Sequence, residues 1–268
     1  KGYKTILPAE IQWKSWAGDR FKGLTGENLI KFVDKWIPKL ASLTGSKDDR
    51  NIDIFHDIFN DFQFNLRNGT KLRKVIDELD KIELSDPQDL ENLGNVFENE
   101  LISMRNDLKG KASFYTPRPI IKFIVQNINP NFKKSDKIID LAAGTCGFLT
   151  ESLKHMKKDV KGKEDEKALY ASLYGREKKS RNYLLGMLNM MLQNIAIPNV
   201  LNKNTLQSTK ISEIVSDDMK YDVIMTNPTF DEKEEKETAN NLPRTKAVSD
   251  AALHFLYFAM KSLKENGR

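Results

Sequence analysis

An α/β protein with an all-helical N-terminal domain is what this sequence predicts, and three observations carry the prediction. Apolar residues recur at helical spacing through roughly the first 110 residues. After that, short apolar runs alternate with helical patterns, the signature of βαβ units and a mostly parallel sheet. The turns closing those runs are built from Gly, Asp, Glu and Asn, where ligands bind in such sheets. The domains expected are residues 1–110 and 111–268, in keeping with roughly 100–200 residues per domain.

In the helical half, "GENLIKFVDKWIPKLASL" places Leu29, Phe32, Val33, Trp36, Ile37 and Leu40 on one face. "LRKVIDELDKI" and "DLENLGNVFENELISM" repeat the pattern, with Asp89 as the expected N-cap of the latter. All three tryptophans, Trp13, Trp16 and Trp36, fall here and read as core packing. No catalytic spacing occurs in this half, which reads as a packing or docking domain.

The second half begins its sheet with "DKIIDLAAGTCGFLTESLKHM", an apolar run, a Gly-rich turn and a helix. "LYASLYGRE" is a second apolar run, ending in an acid. "KSRNYLLGMLNMMLQNI" is a helix with Leu184, Met187, Leu188, Met191 and Leu192 on one side. "YDVIMTN" supplies a third strand over residues 223–226, and "DEKEEKETANNLPRTK" reads as a polar, mobile loop.

Composition narrows the setting. With 39% hydrophobic and 30% charged residues, the chain has the balance of an ordinary soluble globular protein. No apolar run approaches the roughly 18 residues of a membrane span, and "KGYKTILPAE" lacks the apolar core of a signal peptide. The first residue is not Met, which points to residues upstream. A single cysteine, Cys146, leaves no internal disulfide and suits a reducing, cytoplasmic location. A net charge of +5, with both signs interspersed, permits a nucleic-acid partner without demanding one.

The strand ends carry the chemistry. In "DLAAGTCGF", Asp140, Gly144, Thr145 and Gly147 would let a ligand approach backbone at a helix N-terminus. The turn matches neither GxGxxG nor GxxxxGK[ST], and it serves equally well as a bare strand-to-helix connection. Glu177 ends the second strand, where a carboxylate accepts from two ribose hydroxyls; the alternative is a surface carboxylate paired with Arg176 or Lys178. "NPTF" ends the third strand. Asn227 offers an acceptor and two donors, Pro228 fixes its φ, and Phe230 offers a flat face. Together they suit a planar amine; alone, Asn-Pro is also an ordinary turn starter.

In combination, "FYTPRPI", "DLAAGTCGFL", "YGREKKSRNYLLGMLNMMLQNI" and "DVIMTNPTF" resemble the amino DNA methyltransferases in order and spacing. More narrowly, the chain resembles the modification subunit of type I restriction–modification systems, an N6-adenine methyltransferase. "LTGENLIKFVDKWIPKL", "LGNVFENELISM" and "HFLYFAMKSLKENGR" extend the resemblance over nearly the whole chain. It implies a Rossmann-like S-adenosylmethionine-dependent methyltransferase sheet, incomplete at the C-terminus, behind an N-terminal all-α domain. Phe114, Tyr115, Thr116, Pro117 and Arg118 match the segment that closes over the cofactor. Asp140, Ala142, Gly144, Thr145, Cys146 and Gly147 match its methionine-end pocket, Glu177 the ribose acid, and Asn204 a position near its adenine. Asn227, Pro228 and Phe230 match the catalytic motif; no metal ligand is implied.

The resemblance also implies DNA, a specificity subunit, a second modification subunit and a restriction subunit as partners. The sequence departs from the family pattern at Thr229, where a second proline is usual, at Cys146, at Asn204, and at Asp231 and Glu232. A protein or RNA N-methyltransferase, and a non-catalytic cofactor-binding scaffold, are the alternatives. The family's sheet continues beyond the position of Arg268, so the strand at Val223 is expected to have a bare edge and the chain to be a fragment.

Overall fold

The computed structural model describes residues 7–17, 24–42, 56, 58–60, 62–84, 86–107, 116–206, 220–228 and 251–268. Phe114, Tyr115, Thr229, Phe230, Asp231, Glu232 and the polar stretch 231–246 lie outside the described residues. Two compact units divide between Leu93 and Gly94.

In the first unit, helix α1 (Gly26–Ala41) packs against α2 (Gly69–Leu79). Leu29 and Val33 of α1 meet Leu72 and Ile76 of α2 around Ala17, with Trp16, Phe32 and Ile37 closing the cluster. The Asn68 side chain caps α2 by accepting from Lys71 N at 2.9 Å. Arg73 is buried in this unit but satisfied, bonded to Asp77 and to the carbonyls of Trp16 and Ala17. Of the tryptophans, Trp16 and Trp36 are half-buried, whereas Trp13 is 38% exposed at the rim, its Nε1 donating to Asp80 at 2.7 Å.

Helix α3 (Pro87–Asp107) spans the division between the units. Its start lies before Asp89: the Asp86 carboxylate accepts from Asp89 N at 3.0 Å, and Pro87 fills the first helical position, where a missing N–H costs nothing. Asp89 instead accepts from Glu83 N at 3.1 Å.

The second unit runs α4 (Arg118–Ile128), β1 (Ile138–Asp140), α5 (Gly147–Met156), α6 (Lys163–Ala171), β2 (Leu173–Glu177), α7 (Ser180–Met191), β3 (Asn199–Asn202), β4 (Val223–Ile224) and α8 (Ala251–Ser262). The sheet order is β3-β2-β1-β4, with every pairing parallel. The register pairs Ile139 with both Tyr174 and Ile224, so these three share one face, where Phe255, Phe258 and Ala259 of α8 cover them. The alternate residues face α5: a side chain at Gly175 would lie 3.1 Å from Leu149. Cover on both faces is what a parallel sheet requires.

Further expectations need correction. "LYASLYGRE" is not one strand: residues 169–171 close α6, with Ser172 N and Oγ both donating to Leu169 O, and β2 begins at Leu173. Of the expected stripe on α7, Met187 is buried, as is Leu192 just after the helix, while Leu188 is 40% exposed; Tyr183, Gly186, Asn189 and Met190 complete the buried face. β3 escapes the sequence reading because its "NVLN" has polar ends and one fully buried residue, Val200. The edge of β4 is also not bare. Residues 262–268 run beside it, with Tyr221 N donating to Ser262 O, Lys264 N to Tyr221 O, and Ile224 N to Arg268 O, each at 2.9 Å. Among the described residues no helix is long and apolar enough to cross a membrane.

Candidate active site

The four parallel strands deliver their carboxyl ends to one edge of the sheet. There the loop 141–147 has its backbone groups taken up by neighbours. Ala142 N donates to Asp140 Oδ1 and Thr226 Oγ1, both at 3.1 Å. Ala143 N donates to Arg176 O, and Gly144 N to Glu177 Oε2, both at 2.8 Å. On the acceptor side, Leu141 O receives the Thr205 hydroxyl at 2.6 Å and Thr145 O receives Asn189 Nδ2 at 2.8 Å. Gly144 and Cys146 adopt positive φ, 54° and 62°, to turn the chain into α5. A loop so fully bonded is pre-formed for a ligand.

Close approach requires glycine at 186: a Cβ there would lie 2.7 Å from Cys146 Sγ and 2.8 Å from Gly144 O. One at Gly147 would lie 2.7 Å from Ile121 Cδ1 and 3.2 Å from Arg118 Nη1, side-chain ends that would have to give way. Cys146 is completely buried, and burial pushes its thiol up, so it stays protonated; its contribution is the turn and the packing under Gly186.

Two adjoining pockets flank the loop, with Ala142 and Gly144 lining both. The first, about 630 Å³ including its open mouth, gathers Thr116, Pro117, Arg118, Asp140, Thr145, Gly147 and Asn227, together with Glu98, Leu101, Ile121 and Phe148. The second, about 540 Å³ on the same measure, gathers Glu177 and Asn204 with Lys178, Lys179, Asn182, Lys203, Thr205 and Phe255. Pro228, half-buried, follows Asn227. The described residues assigned by resemblance therefore come together around one loop.

Asp140 is 2% exposed, and its carboxyl is pushed up to about 7. Burial is the main cause; the Ala142 N–H and the Thr226 hydroxyl oppose it, and the charge of Glu177 adds to it. Glu177 is no surface carboxylate. It is buried, with Oε1 accepting from Lys179 N at 2.8 Å as Oε2 accepts from Gly144, and Arg176 lies on the opposite face, 5.7 Å over the Phe258 ring. Each Glu177 oxygen retains a second lone pair. Arg118 is held by Glu98 at 3.0 Å, Gly147 O at 3.3 Å and Thr150 Oγ1 at 3.2 Å. Asn227 Nδ2 donates to Thr116 Oγ1 at 3.1 Å.

Sequence reasoning missed Glu98, Thr226 and Asn189. Glu98 carries no local signal, being one acid among several in α3. Thr226 and Asn189 do carry one: a hydroxyl closing an apolar strand, and an amide within the apolar run 183–192.

The sequence profile of the family described as "N-6 DNA Methylase" matches residues 88–268. The methylase subunit of the type I restriction enzyme EcoEI from Escherichia coli is 36% identical over 272 residues, 99% of this chain and 54% of that protein. The methylase subunit of the type I restriction enzyme StySJI from Salmonella typhimurium is 24% identical over 277 residues, 98% of this chain and 48% of that protein. A solved chain described under "complex assembly" and "conformational transition of the type I R-M system" superposes with a TM-score of 0.85 at 31% identity, covering 97% of this chain and 51% of its own. The chain thus spans about half the length of the curated relatives it matches.

Proposed function

The chain belongs to the N-6 DNA methylase family, and on that premise we propose that it is the S-adenosylmethionine-dependent modification subunit of a type I restriction–modification complex, methylating N6 of an adenine flipped out of DNA. The observation that carries this reading is the meeting of Asn227, at one strand end, with Asp140 and the Gly144 turn in a single pocket.

The donor set fits the cofactor. Glu177 keeps two lone pairs for a vicinal diol, Asn204 lies in the same pocket, and Asp140 supplies a carboxylate for an amine or sulfonium cation once ionised. The Arg118 guanidinium, which lines the pocket with Asp140, suits the carboxylate at the amino-acid end. Bound there, the cofactor brings a methyl group already activated on a sulfonium. The protein's task is then to orient an amine and to stabilise developing charge.

Asn227 Oδ1 and the Pro228 carbonyl are the acceptors for the two N6–H bonds, drawing electron density out of conjugation and onto the nitrogen. Unstacking the base costs a few kcal/mol. Phe230 returns about 1–3 kcal/mol of that by stacking on the flipped base. Sequence recognition falls to a specificity subunit, with a second modification subunit and a restriction subunit completing the assembly. Thr229, where a proline is usual, favours one other reading, a cofactor-binding scaffold without activity.

The test is transfer of labelled methyl from S-adenosylmethionine to DNA, with and without the specificity subunit. Label in DNA only with that subunit present supports the proposal. A complex that binds cofactor and DNA but transfers label only after Thr229→Pro favours the scaffold.

A further inference from the structure

An Asn side chain that must accept from an amine works only where its amide is held in place. In this chain a neighbour 111 residues away holds it: Asn227 Nδ2 donates to Thr116 Oγ1 at 3.1 Å. Both residues line the pocket that contains Asp140 and Gly144.

Thr116 is itself on a fixed footing. Pro117, the next residue, is the N-cap of α4, and its carbonyl accepts from Ile120 N at 3.0 Å and Ile121 N at 3.1 Å. Arg118 is clamped between Glu98 and Gly147 O. Thr is also β-branched and stiff at χ1, so its hydroxyl has few alternative positions. On the other side, Thr226, the residue before Asn227, accepts from Ala142 N, tying the β4 end to the loop after β1.

We infer that Thr116 is a positioning residue for Asn227: by bonding Nδ2 it holds the amide in place beside the pocket and ties it to the 116–118 segment bordering the cofactor pocket. The inference rests on the reading of Asn227 as the amine acceptor. Losing the hydroxyl frees the amide to swing and turn, which misplaces that acceptor.

The experiment compares Thr116→Val, which keeps the shape and removes the acceptor, with Thr116→Ser, which keeps the hydroxyl, in the complex with the specificity subunit. Methyl transfer to DNA and affinity for S-adenosylmethionine are both read. At saturating S-adenosylmethionine, Thr116→Val should lower kcat roughly 10- to 100-fold, and Thr116→Ser should recover most of the rate. Native kcat in Thr116→Val, a loss that appears only as weaker cofactor binding, or a serine variant as slow as the valine one overturns the inference alone. Undiminished transfer by Asn227→Ala, or none by the native complex, overturns the reading of the site, and the inference with it.

Discussion

Asp140 and Glu177 end neighbouring strands and are both buried, yet their surroundings differ. Glu177 accepts two backbone N–H groups, one on each oxygen. Asp140 has its carboxyl pushed up to about 7, above the ordinary 3.8. Between those values the folded protein holds a proton that the unfolded chain has lost, so this residue lowers stability as pH rises from about 4 to 7, and the penalty is complete above that. A rise of that size corresponds to ~4 kcal/mol at most. Asp140→Asn should therefore raise the melting temperature of the cofactor-free protein at pH 8, change it little at pH 4, and still weaken cofactor binding. Thermal unfolding at both pH values, with calorimetric titration of S-adenosylmethionine, checks all three. A variant no more stable at pH 8 than at pH 4, relative to native, would contradict the account. Asp140, Glu177 and Asn227 were legible because a strand end in a parallel sheet is a position with meaning. The ties through Thr116 and Thr226 were not, since a hydroxyl's partner 84 or 111 residues away leaves no local trace.

At the scale of elements, α7 shows what an apolar pattern leaves out. Met187 and Leu192 of its stripe are buried, but Leu188 is exposed, and the buried face also carries Gly186 and Asn189. Those two residues hold the loop after β1, one by having no side chain and one by donating to Thr145 O. The closest packing here is needed for the site rather than for apolar burial, so hydropathy points elsewhere. Gly186→Ala tests the point. Alanine favours the helix by about 1 kcal/mol, but overpacking against Cys146 Sγ and the unyielding Gly144 carbonyl costs about 1–3 kcal/mol. The variant should lose up to about 2 kcal/mol net in urea unfolding, and bind S-adenosylmethionine more weakly because Gly144 borders both pockets. Native affinity in a destabilised variant would show that the loop moves independently of the site. β3 was missed for a similar reason: with "NVLN" so short, pairing to β2 decides its conformation, and composition does not.

For the whole molecule, the proposed division of labour leaves this chain phosphate contact without base readout, which its net charge of +5 over 268 residues permits. The chain alone should bind DNA weakly, with little sequence preference and with affinity falling steeply as salt rises, in a titration of labelled duplexes. Tight, sequence-specific binding by this chain alone at physiological salt would contradict the proposed division of labour. The central claim is that one edge of the sheet holds two separable functions, a cofactor site around Asp140, Gly144 and Glu177 and an amine site at Asn227. The measurement that tests it most directly compares Asn227→Ala with native protein in the assembled complex, reading S-adenosylmethionine affinity by calorimetry and N6-methyladenine in the DNA product by nucleoside chromatography. The account predicts cofactor affinity within about threefold of native and no detectable N6-methyladenine. A variant that still forms N6-methyladenine, or one whose cofactor binding falls in proportion to its activity, would contradict it.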